Sequence, residues 1–178
     1  MPSYFRKIHI LGPSCLAGIH KYERKMRIIT NHTDFEVLAG QEVGTSDYIT
    51  ITQEQIDSFA DATNDHQWIH TDPKKAAVKS PFKATIAHGY LTLSLVTSLW
   101  HNIVEVRNYK MVVNYGLENL RFNQPVVVNS RINARFTMLT VDDLRGITRI
   151  RVKIVMQIEG SEKPAFECIA VYLYHFIR

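Results

Sequence analysis

The densest run of reactive side chains is Asp65-His66-Gln67-Trp68-Ile69-His70-Thr71-Asp72, and a second short run, Ile86-Ala87-His88-Gly89, follows fifteen residues or so later. A carboxylate and an imidazole five positions apart, Asp65 and His70, suit a pair that shares one water molecule, orienting it and relaying its protons. Taken alone, such a pair arises by chance in many chains, and the ordered second run is what makes it specific. Asp65, His66, His70, Asp72 and His88 also include the ligand types of zinc and iron sites. However, His66 and His70 fall in a predicted loop and not on one helical face, so no metal site is assigned. His88 is read as a hydrogen-bonded structural histidine. Ser94 and Ser98 lack a nucleophile-elbow setting and are read as packing residues.

The surrounding elements follow from spacing. Thr52 and Gln55 form a capping-box pattern, with Ile56, Phe59, Ala60 and Thr63 at helical intervals, which predicts a helix ending near Asn64. Asp72-Pro73 reads as an N-cap followed by proline at the first helical position, starting a second helix through about Val78. Residues 65–71 between them are therefore expected to form a loop. Gly89–Ile103 carries apolar residues on nearly every side and predicts a helix surrounded by protein. Tyr109–Tyr115, Leu117–Phe122, Arg131–Leu139, Gly146–Ile158 and Ala165–Ile177 predict antiparallel strands with one buried face. The alternation is explicit where Arg149, Arg151 and Lys153 interleave with Ile150, Val152 and Ile154. A buried helix followed by a run of strands implies an α+β arrangement, a long antiparallel sheet curled around the helix.

Here the residues reach a resemblance. Phe59-Ala60, Asp65, His70, Asp72 and Ala76, with Ile86-Ala87-His88-Gly89 behind them, resemble the hydratase motif of the MaoC-like dehydratases, a family that includes the (R)-specific enoyl-CoA hydratases. The Asp-His-Gln-Trp-Ile-His wording, with Asn114-Tyr115-Gly116-Leu117 and Arg121-Phe122, is similar to the nodulation-protein-N-like branch. The likeness spans roughly residues 43–178 and implies a hot-dog fold. It implies catalysis by Asp65 and His70, a thioester carbonyl held by the backbone N–H of Gly89, and support from Thr97 and Gln67. Gln67-Trp68 stands where the commoner wording has Asn-Pro, which bears on the contacts around the pair. Trp68 is read as a core anchor, with a pocket wall as the other reading. Lys74 and Lys75, with Lys79 and Lys83, are read either as a solvated face or as contacts to the phosphates of coenzyme A.

The implied reaction is hydration of a 2-enoyl thioester, on coenzyme A or an acyl carrier, to the (R)-3-hydroxy product, or its reverse. No cofactor is expected beyond the coenzyme A of the substrate. The enolate charge that develops on the thioester oxygen would be met by the Gly89 N–H and the helix dipole, and glycine admits close approach. The resemblance further implies a homodimer whose sheets pair edge to edge. An acyl-CoA thioesterase and a non-catalytic acyl-thioester-binding subunit are the alternatives, because a fold does not fix a function.

Bulk composition narrows the rest. The 178 residues, 46% hydrophobic and 21% charged, suit one globular domain over residues 31–178, preceded by an extension over 1–30. The extension is read as no signal peptide, and Met26 is an alternative start. A net charge of +4 from 21 basic and 17 acidic residues spread along the chain is far from a nucleic-acid-binding signature. Cys15 and Cys168 have no CxxC or Cys/His context, so neither a disulfide nor a zinc site is indicated. No apolar run is long enough for a membrane span, and a cytoplasmic protein is expected.

Overall fold

A computed structural model describes residues 26–177; Cys15 and most of the extension lie outside them. The described part of the extension contributes β1 (Arg27–Ile29), which pairs in parallel with β4 (Val104–Val106). Helix α1 (His32–Glu36) is capped by the Asn31 side chain and buries Phe35. Six strands build the main sheet, in the order β2 (Glu42–Thr45), β6 (Arg131–Asp143), β7 (Thr148–Ile158), β8 (Phe166–Phe176), β5 (Tyr109–Phe122), with β3 (Ile49–Thr50) also on β6. Every pairing in it is antiparallel.

Alternation sets the faces of this sheet. Ile150, Val152 and Ile154 of β7 point inward and are fully buried. Arg149 and Lys153 point outward and pair with Asp142 and Glu167 on the adjacent strands β6 and β8, while Arg151, also outward, reaches past β8 to Glu118 of β5. β5 departs from the expectation twice. It is one fourteen-residue strand, because Gly116 sits at a register shift on β8 that absorbs the irregularity without ending the ladder. It also has no buried face, being an edge strand that leaves Met111, Val113, Tyr115 and Leu117 exposed.

The helices lie on the inner side of the sheet. Helix α2 (Gln53–Thr63) starts with the expected capping box, closed in both directions by Thr52 and Gln55, and ends at left-handed Asn64. The 65–71 stretch is not wholly a loop: Trp68–Thr71 form a single turn, α3, whose last backbone N–H groups bond back to Gln67 and Trp68. Asp72 caps α4 (Pro73–Lys79) through the Lys75 N–H at 2.9 Å. The long helix is divided at Leu95 into α5 (Gly89–Ser94) and α6 (Val96–His101). Thr92 and Ser94 hydroxyls donate to the Gly89 and Tyr90 carbonyls there, a competition with the helix ladder that bends helices. Leu91, Val96, Leu99 and Trp100 join the core, Trp100 against Phe136 of β6. The opposite flank, Tyr90, Ser94, Thr97 and Ser98, is exposed, so within the described chain the helix is covered on one side only.

Candidate active site

Asp65 and His70 are brought to one place by different means. Left-handed Asn64 ends α2 and turns the chain sharply, leaving the Asp65 side chain 55% exposed and its carboxylate 3.5 Å from the Gln67 N–H. The turn of α3 then carries His70 inward, where it is 8% exposed. Its Nδ1 lies 2.7 Å from the Ile86 carbonyl, which can only accept, so the ring hydrogen sits on Nδ1 and the Nε2 lone pair is left available. Ile86 returns the link, donating its N–H to the Ile69 carbonyl.

His88 completes the group. It is 3% exposed, donates from Nε2 to the Asp65 carbonyl at 2.9 Å, and stacks on the His70 ring with centroids 3.8 Å apart. Asp65, His70 and His88 each offer one donor atom within 4.8 Å of the other two. Burial holds the His70 imidazole below its ordinary value of 6.5; the Ile86 carbonyl opposes this, His88 adds to it and Asp65 opposes it.

His70 and Gly89 line a cavity of about 390 Å³, walled by Ile86, Thr92, Phe122 and Pro125. Gly89 is the first residue of α5, where a backbone N–H has no partner within its own helix. A methyl group on its Cα would lie 3.1 Å from two ring carbons of Phe122.

The other sequence candidates are placed as follows. Gln67 contributes its backbone, accepting from the His70 and Thr71 N–H groups, while its side chain makes no cap. Thr97 is exposed on α6 and lines a separate groove of about 360 Å³ between the helix flank and β5, with Asn114, Leu117 and Tyr172. Trp68 is half-buried and outside the core cluster, which corrects its reading as a core anchor; the Lys75 ammonium lies 5.1 Å over its ring. Lys74 is exposed on α4. His66 faces Asp61 at the surface and Asp72 caps α4, so neither belongs to the group around His70. Cys168 is buried in β8, where burial pushes its thiol up to about 11.

One residue escaped the sequence reading. Gln53, in the first turn of α2, donates to the His70 carbonyl at 2.8 Å and accepts from the buried Thr85 hydroxyl at 2.5 Å. It thereby fastens α2, α3 and the Thr85–Ile86 segment together. A glutamine just inside a capping box carries no signal of such a contact.

Comparison with known proteins gives the family and the fold. The model of the family described as MaoC like domain matches residues 34–158. The chain belongs to the MaoC-like dehydratase family. Among relatives of this MaoC-like chain, 3-hydroxyacyl-thioester dehydratase Z of Mycobacterium tuberculosis is 44% identical over 153 residues, covering 85% of this chain and 99% of its own. Nodulation protein N of Rhizobium leguminosarum bv. viciae is 42% identical over 140 residues, covering 77% and 86%. The unliganded R-hydratase of Pseudomonas aeruginosa superposes with a TM-score of 0.65 over 84% of this chain and 88% of that one, at 20% identity. The fold is thus the hot-dog fold, its antiparallel sheet wrapped around the α5–α6 helix.

Proposed function

We propose that the chain catalyses the reversible hydration of 2-enoyl thioesters to (R)-3-hydroxyacyl thioesters, with coenzyme A or an acyl carrier as the thiol. The observation that carries this is the fixed His70 tautomer: Nδ1–H is tied to the Ile86 carbonyl, which leaves Nε2 its lone pair, while the imidazole lies within 4.8 Å of Asp65 and shares a cavity wall with Gly89. The His70 Nε2 lone pair takes a proton from the water held between it and Asp65 as the water oxygen bonds to C3. The C2–C3 π electrons move toward the carbonyl, and the Gly89 N–H receives the enolate oxygen. The enolate collapses as C2 takes up the proton that the His70 and Asp65 pair removed from the water, so one water is added, the pair is restored and nothing is oxidised or reduced. Because α5 has only six residues, the local N–H, more than a helix dipole, supplies this stabilisation.

The reaction is proposed to need no metal. An ion bound by both imidazoles would lie in both ring planes at about 2.0–2.1 Å from each nitrogen. The His70 and His88 rings are stacked at 26° to one another, so their in-plane lone pairs run side by side instead of converging. Assembly as a homodimer is proposed as well. The exposed flank of the helix, the groove beside it and the edge of β5, which no strand among the described residues pairs, form one apolar-rich surface with backbone groups still to be satisfied there.

The test follows loss of the enoyl-thioester absorbance of crotonyl-CoA, with a thiol reagent in parallel and analysis of product stereochemistry. The (R)-3-hydroxy product without thiol release is expected. Asp65→Ala and His70→Ala should each lower the rate by about 10²-fold or more. Thiol release would identify a thioesterase instead, and binding of enoyl thioesters across chain lengths without turnover a non-catalytic module.

A further inference from the structure

His88 touches both halves of the proposed pair. Its Nε2–H donates to the backbone carbonyl of Asp65, its ring lies against that of His70, and its Nε2 is 3.9 Å from the Asp65 carboxylate. Phe59 of α2 closes the other side, with ring centroids 5.1 Å apart. The ring is buried, and among the described residues its Nδ1 has no hydrogen-bond partner, so within them its hydrogen bond is the one to Asp65. His88 is also the residue immediately before Gly89, on a segment anchored to β-bridge partner Val127 and to the Val126 carbonyl through Ile86 and Ala87.

We infer that His88 is a positioning residue for the hydration: it sets the separation and relative orientation of Asp65 and His70 and ties both to the start of the Gly89 helix. This rests on the assignment of Asp65 and His70 as the pair that activates water. The Asp65 side chain is more than half exposed and, among the described residues, its carboxylate is otherwise held only by the long 3.5 Å contact with the Gln67 N–H, so loss of the His88 bond loosens the Asp65 backbone and with it the carboxylate. Without the ring, the His70 imidazole loses the wall that keeps it facing the cavity. Displacing a reacting group by an ångström costs about 10²-fold in rate, so a residue that touches no substrate still controls turnover. The titratable groups that act on His70 are Asp65 and His88, and His88 holds the His70 value down. Its removal therefore moves the acid limb of the activity to higher pH.

Two substitutions divide the contacts. His88→Gln keeps an N–H within reach of the Asp65 carbonyl and loses the stack; His88→Phe keeps a ring against His70 and loses the bond. Each is expected to lower kcat by about tenfold to about 10²-fold, with KM changed less than about twofold, as for a loss confined to the transition state. In His88→Gln the acid limb of kcat/KM should move up in pH. In a His70→Ala background the same substitution should change the rate by less than about twofold, since coupled groups are non-additive. Wild-type kcat and an unmoved acid limb in either folded variant would overturn the inference, as would full additivity with His70→Ala. Failure of the underlying assignment is seen separately, as near wild-type turnover of His70→Ala alone.

Discussion

Gly89→Ala separates the packing role of that position from its chemical one. In the structure the added methyl would stand 3.1 Å from Phe122 Cε1 and Cζ and 3.3 Å from Cδ1, closer than ordinary contact by a few tenths of an ångström. Phe122 ends β5, is 42% exposed, and leans on Tyr90 and Phe166 at ring distances of 6.0 and 5.8 Å. Its ring can swing aside, and the strain of overpacking should stay near the low end of about 1–3 kcal/mol. Alanine is the better helix former by up to about 1 kcal/mol. The two effects nearly offset, so the melting temperature should hold within a few degrees. Activity should not hold if the Gly89 N–H receives the thioester oxygen as proposed, because the methyl would crowd the approach to that N–H. Loss of one such donor lowers turnover by about 10²–10³-fold, or roughly 2.7–4 kcal/mol of transition-state stabilisation. Steady-state kinetics on crotonyl-CoA alongside a thermal melt read both quantities. Undiminished kcat/KM in the folded variant would refute the role of Gly89, and a collapse of stability would refute the packing account.

Further expectations follow from the same geometry. Because burial lowers the His70 value below 6.5, kcat/KM should be level at neutral pH and fall only on the acid side of 6.5. In that window the unfolded chain holds more protons than the folded one, so the contribution of His70 to stability is complete above 6.5 and is lost as pH falls through the folded value. Denaturation midpoints of wild type and His70→Gln compared from pH 7.5 to 5 would show this, and a pH-independent difference would refute it. Gln53→Ala removes the bonds to the His70 carbonyl and Thr85, which should cost about 1–2 kcal/mol. The melting temperature should drop by about 2–4 °C per kcal/mol, and kcat should fall more than KM rises; a variant matching wild type in both would show that the clasp is idle. Leu117→Lys on the exposed edge strand is expected to weaken the proposed dimer by about 10²-fold or more, since the site occurs twice per dimer. Light scattering across a dilution series would reveal an unaltered dimer if that surface lies elsewhere.

Local signals were legible without coordinates. The Thr52/Gln55 box, the Asp72-Pro73 start and the Arg149–Ile154 alternation each depend on neighbours a few residues apart, and each appears in the structure as the spacing implies. The single turn at Trp68–Thr71 was not legible, being too short for a helical period and held by the Gln67 carbonyl and contacts to distant segments. The break at Leu95 was hidden for a similar reason, since the residues around it remain apolar and the bend comes from two hydroxyls turning back on the helix. The register shift in β5 read as a gap between two strands because glycine marks both turns and bulges.

The sequence by itself determined the family motif, the pairing of Asp65 with His70 in order along the chain, and the apolar helix followed by a long antiparallel sheet. Only the tertiary structure decided which His70 nitrogen holds the hydrogen, that His88 stacks on it, that Gln53 clasps its carbonyl, and that Thr97 faces a different groove. The physical reason is range. Residue type and period report whether a side chain prefers burial or water, but an imidazole's tautomer, orientation and affinity for protons are set by whichever carbonyl, ring or carboxylate the fold brings against it from segments that lie apart along the chain.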